Sequence, residues 1–414
     1  MEDNQACLFR HAPLKANEIR LCRVLETLTK YGQIQLELQH FPFKRTEGSN
    51  TTLHSDLPQY TGLSYAWGDD PPSHMIVIDE GCFQIRSNLH LFLQSTHELH
   101  EHDTWFWIDQ ICIDQENVSE RNEVVREMER IYSNACSTRI WLGEGNGTTK
   151  AAFEVFTEFE GFFEGGDRKT RNKRFKRLVD VGRDVTWLLD VSEMRARSYW
   201  SRLWTIQEVW LATHFCMQCG TQKFQAKHKT RTRPKRRDRL GTIGGCRHCS
   251  HLASIVDFTF DEWHRKMAPA GMPKNQTFAM GMLEIYNGDD PSLYNVLDLF
   301  NGQCLDPRDQ VYAVQSLVAP SERIEVDYTL TTIEVFSAVC MRMIPPTPLG
   351  FLGDPESSSH KELMKDWLNL TVRLAEAMGI WKDVAMPSIR SGLRSFYDRH
   401  ELEWSSECFE AVLN

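Results

Sequence analysis

Polar and apolar positions alternate along GQIQLELQHF, residues 32–41, so that Ile34, Leu36 and Leu38 share one face; the pattern predicts a half-buried strand. Upstream, IRLCRVLETL predicts a partner strand, with the chain reversing at Tyr31-Gly32. A polar stretch, KRTEGSNTT, separates this pair from YTGLSYAWGDD, a short strand running into a loop. HMIVIDEGCFQI predicts a hairpin turning at Glu80-Gly81. The period then lengthens. Leu89, Leu93 and Thr96 share one side of a helix from about Ser87 to His100. TWFWIDQICIDQ reads as a buried strand leading into a polar loop. A second helix begins with Ser119 as its N-cap and carries an apolar stripe of Val124, Met128, Ile131 and Ala135. TRIWLGEG is a further strand, stopped by glycine. Strand, helix, strand, helix in this order predicts a mainly parallel sheet covered on both faces.

Residues 151–195 read as helical with an interruption at EGGDRKTRNKRFKR, and SRLWTIQEVW is helical again. From about residue 275 the pattern is helical through PSLYNVLDLFNGQCLDPRDQVYAVQSLV and, after IEVDYT, in HKELMKDWLNLTVRLAEAM. The resulting division is a tail over 1–17, an α/β core over 18–215, an insertion over 216–252 and a mostly helical region over 253–414.

Composition narrows the class. With 414 residues, 41% hydrophobic and 25% charged, the chain is ordinary globular protein, and its net charge of −10 argues against a general nucleic-acid or anionic-membrane binder. The charge is uneven: residues 223–239 hold nine Lys or Arg against one Asp. That run is a solvated loop, a nuclear address or a nucleic-acid contact. The start, MEDNQACLFR, lacks the basic end and apolar run of a signal peptide, and no stretch of 18 apolar residues occurs. The expected location is the cytoplasm, with the nucleus as an alternative through the basic run. Twelve cysteines are then reduced thiols. Cys216-x-x-Cys219 and Cys246-x-x-Cys249 have the spacing of two knuckles around a structural zinc, with His248 and His251 as alternative ligands. The competing reading is four thiols that never meet, with Cys219 an ordinary core residue.

Three blocks carry a resemblance. YTGLSYAWGDD, WIDQICIDQENVSERNEVVREMERIYSNACSTRIWLG and YWSRLWTIQEVWLA resemble the signature blocks of the fungal heterokaryon incompatibility (HET) domain, in the family's order and spacing. CLDPRDQVYAVQSLV followed by VDYT is similar to the segment after that domain. The resemblance covers about residues 18–330 and implies cell death triggered by nonself recognition, self-association and an unidentified incompatibility or signalling partner. HET domains are in turn regarded as distant relatives of TIR domains, which implies a flavodoxin-like sheet flanked by helices. Some TIR domains cleave NAD. LSYAWGDD is similar to the first TIR strand and its substrate loop. SRLWTIQEVW is similar to the TIR helix whose tryptophan precedes the catalytic glutamate by four residues, which maps Trp204 and Glu208 onto that pair. Thr205 stands where a cysteine often follows the tryptophan.

The chemistry fits one carboxylate. Loss of nicotinamide from ribose passes through an oxocarbenium-like state, and the leaving group is neutral, so no strong general acid is needed. Glu208 is the candidate catalytic residue. Ser64, Tyr65, Trp67 and Gly68 on one loop, Asp109 and Gln110 on another, and Arg202 and Trp204 before the glutamate are the candidate substrate contacts. The rings would stack on a base, Gly68 would admit a ligand to the backbone, and Arg202 would meet a phosphate through its planar fork. In doubly wound sheets such ligands sit beyond the carboxyl ends of the strands. Each residue also has a purely structural reading: Glu208 in a salt bridge with Arg202 or Arg121, the tryptophans as core, Asp109 capping its loop. No GxGxxG or P-loop occurs, which argues against a Rossmann dehydrogenase or an ATPase, and no nucleophile-elbow or catalytic-cysteine signature is present. Three functional readings stay open: an NAD-cleaving effector, a non-catalytic self-associating module, and a zinc-stabilised nucleic-acid contact through 223–239.

Overall fold

A computed structural model describes residues 8–43, 56–154, 157, 193–194, 196–225, 292–300, 302–343 and 358–399. The described residues fall into two compact units. The first holds those up to Trp200 together with the segment from Glu208; the second holds Ser201–Gln207 and the chain from Ser292 onward.

The first unit is built on one nine-stranded sheet. Its strands are β1 (Glu18–Val24), β2 (Gln35–Pro42), β3 (Tyr60–Tyr65), β4 (His74–Ile78), β5 (Gly81–Ile85), β6 (Trp105–Trp107), β7 (Ser137–Trp141), β8 (Phe215–Cys219) and β9 (Gln222–Gln225). They lie in the order β5-β4-β2-β1-β6-β3-β7-β8-β9. The expected mainly parallel sheet is in fact mixed. β6, β3, β7 and β8 run parallel to one another and β2 runs parallel to β4, whereas β6 is antiparallel to β1 and the short connections of β1–β2, β4–β5 and β8–β9 force antiparallel pairs. The four central parallel strands follow the order second, first, third, fourth in chain sequence, so the winding reverses between β3 and β7. All six residues of β3 are buried, as expected for a central strand covered on both faces. Gly62 on that strand lies against the Tyr132 ring; a Cβ there would come within 2.9 Å of it, so glycine sets how closely the following helix approaches.

Three helices of this unit belong to the core: α1 (Ser87–Glu98), α2 (Asp109–Cys112) and α3 (Val118–Asn134). In α3 the predicted stripe of Val124, Met128, Ile131 and Ala135 is buried, but the cap is Asn117, whose side chain accepts from Glu120 N–H, in place of Ser119. The β4–β5 hairpin turns one residue earlier than expected. Asp79 and Glu80 both adopt positive φ, 46° and 72°, the geometry of a two-residue type I′ turn. Gly81 serves a different need: a Cβ would sit 2.8 Å from Phe9 Cα, where the N-terminal segment runs parallel to β5. The expected loop after Ile108 is the short helix α2.

In the second unit, the stretch around Arg202 pairs with Gln303 through an isolated parallel bridge. Helix Thr332–Arg342 starts with a full capping box between Thr331 and Glu334. It packs on helix Lys382–Arg399, where Gly392 touches the Cys340 carbonyl. The sequence IEVDYT forms no strand. Among the described residues, no helix is long and apolar enough to cross a membrane.

Candidate functional site

The winding reverses between β3 and β7, and the carboxyl ends of the strands at such a reversal are the place where sheets of this kind take ligands. β3 runs out into Ala66–Asp70, and this loop is pinned on several sides. Trp67 Nε1 donates to Asp109 Oδ2 (2.8 Å), and Asp109 Oδ1 accepts from the Gln110 N–H (2.7 Å). Tyr65 O–H donates to Gln110 Oε1 (3.3 Å), and Gln115 Nε2 donates to the Asp109 carbonyl (3.0 Å). Four predicted contacts, Tyr65, Trp67, Asp109 and Gln110, therefore form one connected cluster. Asp109 is 7% exposed and its carboxylate joins the β3 loop to the start of α2. Ser64 faces elsewhere: its hydroxyl is 2.8 Å from that of Tyr199.

Gly68 adopts φ +84°, and a Cβ there would lie 2.7 Å from Asp70 Oδ1, so this position favours glycine. Asp70 accepts from both the N–H and the hydroxyl of Ser87 at the start of α1. The Ser87 N–H, more than any other group, holds the Asp70 carboxyl below its ordinary value. Arg86 donates to the carbonyls of Gly68 and Asp70, closing the loop. Around β7 the arrangement repeats. Gly143 has φ +97°, Arg197 donates to the carbonyls of Leu142 and Glu144, and Asn88 links Trp141 to the Ala66 carbonyl. Arg86, Asn88, Tyr199 and Arg197 went unnoticed in the sequence because each is remote in chain position from the loop it holds. Only the glycine closing TRIWLG signalled the second loop.

Glu208 lies in helix Thr205–Trp210 and is 1% exposed. Its carboxylate is withdrawn from bulk water, an arrangement that is costly for a charged group without compensation. The helix is shorter than the periodicity predicts, so Trp204 precedes it. Trp204 and Arg202 belong to the second unit. There Trp204 Nε1 donates to Asp309 Oδ2 (2.9 Å), and Tyr328 O–H donates to Asp309 Oδ1 (2.5 Å). Arg308 donates to Asp306 through two nitrogens and to the carbonyls of Tyr328 and Leu330. The CLDPRDQ and VDYT stretches are thus one hydrogen-bonded network, and the indole of Trp204 is part of it.

The cysteine pair behaves differently from the expectation of a knuckle. Cys216 and Cys219 lie in a strand, where positions three apart point to opposite faces. Cys216 sits in register with Arg139, whereas Cys219 Sγ lies 3.8 Å from Met194 Sδ. Burial raises both thiols, Cys219 to about 11. Extended backbone, not a tight turn, therefore carries the two sulfurs. Cys246, Cys249, His248 and His251 lie outside the described residues, as does the basic run beyond Gln225. Among the described residues, no group of three His, Cys, Asp or Glu is set to hold a metal.

The class the fold defines is an α/β domain, a mixed nine-stranded sheet flanked by helices. Residues 60–208 match the family model described as Heterokaryon incompatibility protein (HET), from the first residue of β3 to Glu208 itself. Residues 60–208 are therefore similar to the fungal heterokaryon incompatibility (HET) domain. The chain is also 30% identical over 201 residues to "Heterokaryon incompatibility protein 6, OR allele" of Neurospora crassa, a match covering 40% of this chain and 29% of that protein. The chain thus spans under a third of the length of the curated relative it matches. No solved structure matches.

Proposed function

We propose that this chain acts in fungal nonself recognition as a cell-death effector, and that its HET domain cleaves NAD at the crevice beside β3. The observation that carries the reading is Glu208, an acid 1% exposed at the end of the matched domain. Such a group is expensive to bury and worth keeping where positive charge develops during a reaction. The winding order is that of flavodoxin-like sheets, in which nucleotides sit at the reversal, and this supports a TIR-like reading. In it, Glu208 stabilises the oxocarbenium-like ribose while the Trp67 ring, pinned by Asp109, offers a face to a base. Incubation of the purified chain with NAD, with nicotinamide release followed, tests it. Wild type releases nicotinamide and Glu208→Gln does not. Equal inertness of both proteins, even when self-associated, overturns the catalytic part.

A second reading is a non-catalytic module that self-associates and recruits partners. It is favoured by the extent to which Asp109 and Trp204 are already engaged within the protein.

A further inference from the structure

β3 and β7 end side by side, with Tyr65 opposite Trp141, and each runs into a loop that an arginine closes. Arg86 Nη1 donates to the carbonyls of Gly68 (2.9 Å) and Asp70 (2.6 Å), and Arg197 Nη1 donates to those of Leu142 (2.8 Å) and Glu144 (2.7 Å). The Nε of each is buried, so Nη2 is the group each leaves for a ligand. Asn88 joins the two loops. Its Nδ2 donates to the Ala66 carbonyl and its Oδ1 accepts from Trp141 Nε1. A Cβ on Gly143 would lie 3.8 Å from that Oδ1 and 3.4 Å from Arg197 Nη1. Neither arginine donates a hydrogen bond to a carboxylate among the described residues. Asp70, the acid beside Arg86, is taken up by the N–H and hydroxyl of Ser87. Glu193 comes only within 3.9 Å of Arg197 Nη2 and accepts from Thr148 Oγ1 at 2.6 Å. Two half-buried guanidinium groups thus stand on adjoining loops with donors to spare, which is costly unless an anion meets them.

We propose that Arg86 and Arg197 hold the pyrophosphate of a dinucleotide, one phosphate on each loop, through their Nη2 groups. The identity of the ligand rests on the NAD reading above. The sequence pointed to Arg202 for the phosphate, but Arg202 belongs to the second unit, whereas Arg86 and Arg197 belong to the unit that carries both loops. Gly68 and Gly143, at φ +84° and +97°, leave bare backbone beside the two guanidinium groups. Helix α1 starts at Ser87 against the first loop, and the positive end of its dipole adds to the same potential. The ligand class that follows is a nucleotide with two linked phosphates. A monophosphate engages one arginine, and a nucleoside engages neither.

ADP-ribose keeps the pyrophosphate and lacks the bond to be broken, so its titration into the full chain, beside AMP and adenosine, tests the subsite by calorimetry. Wild type binds ADP-ribose most tightly, AMP less and adenosine least. Arg86→Gln and Arg197→Gln each weaken ADP-ribose by about tenfold or more and leave adenosine unchanged. Glutamine at either position also removes a loop clamp, so thermal melting accompanies each titration. Where it lowers the melting temperature, the lysine variant at that position, which keeps a donor for the loop carbonyls and the charge, carries the comparison: it retains the fold and loses less ADP-ribose affinity than glutamine does. Equal ADP-ribose affinity in wild type and both glutamine variants overturns the subsite. A parallel loss of ADP-ribose and adenosine overturns it too, as does a wild type that binds no ADP-ribose. Nicotinamide release is a separate measurement that follows Glu208, so an inert protein that still binds ADP-ribose through the two arginines removes the catalytic reading alone.

Discussion

Arg20 is 1% exposed and its guanidinium grips both oxygens of Glu120, at 2.5 and 2.9 Å, while also donating to the carbonyls of Ala12 and Cys112. Burial alone would raise the Glu120 carboxyl, but Arg20 and the Asp114 N–H outweigh it and leave the group below its ordinary 4.5. A carboxyl lowered in the folded state contributes stability above its unfolded pKa and loses that contribution as pH falls through the folded value. Thermal melts between pH 6 and pH 3 are therefore expected to show a decline below about 4.5 that Glu120→Gln lacks. At neutral pH the same substitution leaves Arg20 as an uncompensated buried charge and costs about 3–5 kcal/mol in chemical denaturation. The pair was illegible in the sequence, where a lone Arg on a strand and a Glu in a polar helix turn look unrelated. Asp109 was legible as a capping group. Its role as the acceptor for Trp67 was not, because an indole N–H partner 42 positions away leaves no local pattern.

At the scale of elements, periodicity found the strands and helices whose one-sided burial is strong, including α3 and the β4–β5 hairpin. It failed where tertiary contacts decide. β6 keeps only Trp105–Trp107 as strand, and Asp109–Cys112 winds into a helix although its apolar run continues. The spacing of Cys216 and Cys219 did not disclose their local structure: the two lie in β8, where positions three apart point to opposite faces. Glycines separate two kinds of constraint in the second unit. A Cβ on Gly392 would meet the Cys340 carbonyl oxygen at 2.5 Å, whereas Gly379, at φ +69°, has open space around it. Gly392→Ala is expected to cost about 1–3 kcal/mol by pushing two helices apart. Gly379→Ala is expected to cost about 1–2 kcal/mol, from backbone conformation alone. Urea midpoints of the two variants check this. A loss at Gly379 with none at Gly392 would contradict the close packing.

Across the whole molecule, the HET match ends at Glu208, while the tryptophan four residues earlier is anchored by Asp309 in the second unit. The family resemblance was legible in the sequence blocks, because they record the buried β3, the α2–α3 segment and the helix of Glu208 together. They did not disclose that Trp204 and the CLDPRDQ stretch form a single network, which emerges only when the distant segment is folded. On the proposed NAD-cleaving reading, Glu208 is buried for chemistry and not for stability. The urea midpoint of Glu208→Gln measures this most directly, since a carboxylate retained for reaction burdens the fold that holds it. The expected midpoint is equal to or above that of wild type. A drop corresponding to about 3 kcal/mol or more would mark Glu208 as a structural ion and contradict the claim.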